Sequence, residues 1–135
     1  IFQKEGVKFP AEDPFVWYQD KKYWAIVKDM HSVFIDESPK VIENTINSNP
    51  DSLSKSFEKK ASLVLFESDN GTDWKLAKKP LVSKTVLNWD DGAVQQVQLL
   101  DRPQLFIENG KPKALLCAVK VSEEETFNVT IPFKK

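Results

Sequence analysis

Two short stretches concentrate the side chains that could do chemistry. Glu12-Asp13-Pro14 and Asp101-Arg102-Pro103 each set an acid two residues before a proline, at an offset of roughly 89 positions, and the two copies align without a gap for about 17 residues. Behind the first come Phe15–Tyr18, the polar turn Gln19-Asp20-Lys21-Lys22 and the apolar run Tyr23–Val27. Behind the second come Gln104–Ile107, the turn Glu108-Asn109-Gly110-Lys111 and the run Ala114–Val119. Neighbouring residues on a strand point to opposite faces, so only one of Glu12 and Asp13 is expected to face a shared site, and Glu12 is favoured. Asp101 can accept hydrogen bonds from hydroxyl groups, and Arg102 can grip a carboxylate or sulfate through its planar fork. The plainer alternatives are an ordinary turn at Glu12-Asp13-Pro14 and a local salt bridge between Asp101 and Arg102.

Other chemistry is sparse. His31 is the sole histidine and Cys117 the sole cysteine, so no transition-metal cluster or internal disulfide is expected, and no cofactor is implied. Cys117 lies inside Ala114–Val119 and reads as a small buried hydrophobe rather than a nucleophile. Trp17, Trp24 and Trp74 fall within strand patterns and read as core. Trp89 stands beside a polar hairpin turn and is the tryptophan expected to be exposed.

The whole chain bounds what these residues can serve. With 135 residues and a net charge of −1, it can bury a sizeable core but carries no global field to recruit nucleic acid or an anionic membrane. Its apolar runs reach about seven residues, far short of a membrane span. No charged-then-apolar leader opens it, and Ile1-Phe2-Gln3-Lys4 reads as an entry in mid-protein.

The elements that must position the acids are nearly all strands. Tyr23–Val27 is apolar on both faces and predicts a central strand, and Ser62–Phe66 predicts another. Asn70-Gly71 supplies a tight turn after it, and Trp74 and Leu76 begin an outgoing strand. Thr85–Trp89 and Ala93–Leu99 flank Asp90-Asp91-Gly92 as a hairpin, and Thr126–Ile131 alternates strictly as a half-buried strand. Ser32–Ile35 is read as a further short strand. Residues 36–60 are polar and turn-rich, an insertion that could hold short helical turns near Val41–Ile46 and at Leu53 and Phe57.

These motifs resemble those of a known family. Glu12-Asp13-Pro14-Phe15-Val16-Trp17 followed by Lys22–Val27 is similar to the blade opening of five-bladed propeller glycoside hydrolases of the family forty-three type and their relatives. Phe66–Trp74 resembles their S-x-D-G-x-x-W turn, with Asn70 at the usual Asp position. Asp101-Arg102-Pro103-Gln104-Leu105 with Gly110-Lys111-Pro112 resembles their E-R-P-Q…G-K-P element, with Asp101 replacing the commoner Glu.

The resemblance implies an all-β chain of antiparallel propeller-type blades, about two of them. The first would run over 12–77 with the 36–60 insertion, and the second over 85–132. It implies a carbohydrate as ligand and hydrolysis of a glycosidic bond, which needs a pair of carboxyl groups, one of them a proton donor. Glu12 sits where the family's proton donor would sit. Asp13, Asp29, His31, Asp101, Arg102 and Trp89 would shape the sugar site, with Trp89 as a stacking platform. A capped or exposed histidine is the alternative for His31. Two blades cannot close a ring, so the expected partners are the remaining blades of a longer protein or a second copy of the chain. The alternative function is a carbohydrate-binding or self-associating module without catalysis. The family's habits place such proteins in the bacterial periplasm or outside the cell.

Overall fold

The computed structural model describes Phe2, residues 11–35 and residues 61–134; the 36–60 insertion with its expected helical turns lies outside the described residues. All the regular structure described is antiparallel strand. Strands β1 (Ala11–Gln19), β2 (Lys22–Asp29), β3 (Ser62–Ser68) and β4 (Lys75–Ser83) form a meander in sequence order. A small hairpin of β5 (Val86–Asn88) and β6 (Val94–Gln96) follows, and then a three-stranded sheet of β7 (Leu99–Glu108), β8 (Lys111–Lys120) and β9 (Thr126–Pro132).

The predicted central strands take central places because both of their faces are apolar. Ala25, Ile26 and Val27 of β2 and Leu63, Val64 and Phe66 of β3 are all buried. One face of this pair, through Ile26 and Leu63, meets Leu100, Leu105, Leu115, Cys117 and Val119 of the other sheet. The hairpin adds Leu87 and Val97 to that inter-sheet core. The opposite face, through Ala25, Val27, Val64 and Phe66, is covered by Phe2, Phe34, Ile35 and Trp74. Trp74 therefore packs on the outer side of the first sheet rather than between the sheets.

The internal repeat is written into the backbone. Positive φ occurs at Asp13, Asp20 and Lys21, and again at Arg102, Asn109 and Gly110, the same three positions in each copy. The paired values at Asp20-Lys21 (54° and 64°) and Asn109-Gly110 (52° and 75°) are those of two-residue hairpin turns that match the strand twist. Asp13 and Arg102 sit where β1 and β7 slip register against their partners, between Glu12 and Phe15 and between Asp101 and Gln104. Each acid-x-Pro element is thus a bulge: the proline cannot donate to the ladder, and the extra residue bends the strand.

The two sheets stack head to tail. Phe15 and Trp17 of β1 pack toward the second sheet, whereas their counterparts in the second copy, Gln104 and Phe106 of β7, face outward and are exposed. Equivalent faces point in the same sense: Val16 and Tyr18 stay exposed beside the covered outer face of the first sheet, and Phe106 and Leu116 are exposed on the outer face of the second.

Three expectations need correction. Ser32–Ile35 is a turn, with Ser32 at φ 53°. Asp29 draws it in: its Oδ1 accepts from Val33 N at 2.9 Å and its Oδ2 from Phe34 N at 2.8 Å, which lays Phe34 edge-on against Phe66. The first sheet runs on to Ser83 instead of ending near 77, because Pro80 is tolerated in an edge strand. The three-stranded sheet begins at Leu99, since the residues from 85 form a separate hairpin. The Asn70-Gly71 turn is present, held by Asn70 Oδ1 accepting from Thr72 N and Asp73 N, but only Gly71 has positive φ.

Candidate functional site

At one end of the inter-sheet interface the core gives way to charge. Lys28 follows Ile26 on the same face of β2, and its side chain is only 6% exposed. A lysine is almost never buried without partners, and here it has three. Its Nζ lies 3.0 Å from Glu12 Oε2, 3.3 Å from Asp13 Oδ2 and 2.5 Å from Asp101 Oδ1. The first two acids come from β1 and the third from β7, so the ammonium ties the two copies of the motif together. A second link crosses the same gap, with Arg102 N donating to Asp13 Oδ2 at 3.3 Å.

The bulges explain why three acids reach one ammonium. Strand alternation predicts that only one of Glu12 and Asp13 faces inward. That expectation is overturned, because Asp13 at φ 52° breaks the alternation and both reach Lys28. Beside the cluster lies an open cleft of about 250 Å³, lined by Asp13, Pro14 and Phe15 from one copy and by the equivalent Arg102, Pro103 and Gln104 from the other. Three carboxylates to one ammonium leave the cluster with a net negative charge. Arg102 is exposed at the cleft, and Asp101 pairs with Lys28 rather than with its neighbour Arg102.

Of the residues singled out in the sequence, Glu12, Asp13, Asp101 and Arg102 are brought together. Asp29 is not: it is fully buried, lies on the opposite face of β2 from Lys28, and accepts from the following turn through both oxygens. His31 sits half-buried in that turn. Trp89 is 39% exposed, as expected, but it stands at the β5–β6 hairpin against Phe127 of β9, away from the cluster. Lys28 is the member that sequence reasoning missed. Its signal was a single charge continuing the Trp24, Ile26 face of a strand apolar on both sides.

Burial is the largest influence on the Lys28 ammonium and works against its charge, but hydrogen bonds to Asp101 and Glu12, with the charges of Asp101 and Asp13, outweigh it and hold its pKa above the ordinary 10.5. The Cys117 thiol is pushed from 9.0 up to about 12, first by burial and then by the negative charge of Asp101. Both groups keep a proton in the folded chain that the unfolded chain releases first, so the stability they add is full below the unfolded values and is lost as pH rises. Urea unfolding midpoints are therefore expected to fall from pH 9.0 toward 12, with Cys117→Val removing the early part of the fall. A midpoint that stays level over that range in the parent chain would contradict the geometry.

Comparison of the chain with protein-family models, with curated proteins and with solved structures finds no match.

Proposed function

We propose that the chain supplies the carboxylate-bearing wall of a carbohydrate site in a glycosidase-like β-propeller that hydrolyses glycosidic bonds of an oligosaccharide or polysaccharide. The observation that carries the reading is the convergence of both acid-x-Pro elements on Lys28, beside a cleft lined by equivalent residues of the two copies. Glu12 is the proton donor: at 47% it is the most exposed of the three acids, Asp13 and Asp101 being 33% and 28% exposed. Asp13 and Asp101 hold Lys28 and accept hydrogen bonds from sugar hydroxyls, and Arg102 reaches over the cleft as a donor. Asp101 is not the second carboxyl of the reaction. Its oxygen and that of Glu12 contact the same ammonium, so Lys28 stands where the sugar ring would have to lie. The second carboxyl comes from a further blade of a longer protein or from a second copy. A periplasmic or extracellular setting accompanies a polysaccharide substrate.

One observation favours a second reading, carbohydrate binding without hydrolysis. The Lys28 ammonium, 3.0 Å from Glu12, prepares that carboxylate to accept hydrogen bonds. The two readings part in one experiment, in which the chain is incubated with a panel of neutral and acidic plant and algal glycans. Release of reducing ends supports hydrolysis. Calorimetric binding without release, weakened by Asp101→Asn or Arg102→Ala, supports the binding module. Neither signal with any glycan ends both.

A further inference from the structure

We propose that the cleft between the β5–β6 hairpin and β9 is a second saccharide site, for a neutral sugar, with Trp89 as its stacking platform. The cleft measures about 360 Å³, in the range of small-ligand pockets. Trp89 and Phe133 line it and stay 39% and 40% exposed. Asn88 and Asp90 also line it. Among the described residues, neither of these two side chains has a hydrogen-bond partner.

The combination selects the ligand. A purely apolar molecule would cover the Asn88 and Asp90 groups without pairing them, which is costly. A sugar ring offers an apolar face to an indole and hydroxyls to an amide and a carboxylate. Asp90 is the sole charged residue of the lining, so an anionic sugar meets repulsion and a neutral one does not.

The platform is rigid although exposed. Trp89 Nε1 donates to Gln95 Oε1 at 2.9 Å, and the indole rests against Phe127 with ring centroids 6.1 Å apart. Its backbone closes the hairpin, with Trp89 N donating to Ala93 O at 2.8 Å and Gly92 N to Trp89 O at 3.0 Å. With the ring nitrogen engaged, the indole faces are what remains for a ligand, and a side chain already fixed loses little entropy on binding. β9 is separated from β7 by β8, about 10 Å across two strand spacings, so this site is distinct from the Lys28 cluster. It does not require hydrolysis at that cluster.

The test follows the Trp89 indole N–H signal in a nitrogen-15 spectrum, assigned with Trp89→Phe, during titration with xylohexaose, cellohexaose, laminarihexaose and a galacturonate hexamer. At least one neutral oligomer is expected to shift that signal saturably. Asn88→Ala, an exposed hairpin change, should weaken the response roughly tenfold. Glu12→Gln should leave it unchanged, which separates this site from the cluster. The proposal is overturned if no neutral oligomer moves the signal, if the galacturonate hexamer binds as well as the neutral ones, if Asn88→Ala binds like the parent, or if Glu12→Gln abolishes the response.

Discussion

Lys28→Met is expected to destabilise the chain by about 2–4 kcal/mol. The change keeps the length and packing of the aliphatic stem and removes only the charge. What remains is three carboxylates, from β1 and β7, directed at a site 6% exposed in the parent. Removing one partner of a buried pair leaves the other charges uncompensated, and here the orphans also repel one another. The effect falls short of the largest known for buried pairs because Glu12, Asp13 and Asp101 are 47%, 33% and 28% exposed and can recover some hydration. Urea unfolding at neutral pH measures it. Asp101→Asn should cost less by itself, and Lys28→Met should become milder in that background, with a coupling of about 1 kcal/mol or more. A Lys28→Met midpoint equal to the parent's would mean that the apolar contacts around Leu63 and Leu115 hold the sheets together unaided.

How far the molecule could be read from its residues depends on which forces are local. Tyr23–Val27 and Ser62–Phe66 are central because every position is apolar, and no tertiary knowledge is needed to see it. Asn109-Gly110 announces its turn through residues that tolerate positive φ, and the gapless repeat predicts that Asp20-Lys21 does the same with less suitable residues. The failures share a cause. Asp29 looked like a strand-end acid open to a ligand, but its carboxylate captures two backbone N–H groups of the next turn, a bond that depends on how the chain folds back. Lys28 drew no reading of its own, because its burial depends on a bulge 73 residues away supplying Asp101. The alternation rule failed at Glu12 and Asp13 for the same reason, since a bulge is visible only when two strands are laid side by side. The offset of 89 places Cys117 where the first copy has Lys28, and a further register shift between Phe106 and Ile107 sets Ala118 opposite Asp101, so the second copy repeats neither the ammonium nor the whole register.

Glu12→Gln is expected to lower kcat by about 10²–10⁴-fold on the glycan that releases reducing ends, with KM changed little. Gln keeps the shape of Glu and its amide oxygen still accepts from Lys28, so the cluster stays assembled while the donated proton is lost. Because the Glu12 side chain is 47% exposed, its ion pair adds about 0–1 kcal/mol to stability and the unfolding midpoint should hardly move. That contrast separates a catalytic loss from a folding loss. A nitrophenyl glycoside, whose leaving group departs without protonation, should lose far less than a natural glycan. If kcat holds and only KM rises, Glu12 is a hydroxyl acceptor and the binding reading replaces hydrolysis. If natural and nitrophenyl substrates fall together, Glu12 acts on bound geometry and another residue delivers the proton. Exposure is what makes Glu12 the candidate, 47% against 33% for Asp13 and 28% for Asp101, since Lys28 contacts one oxygen of each acid.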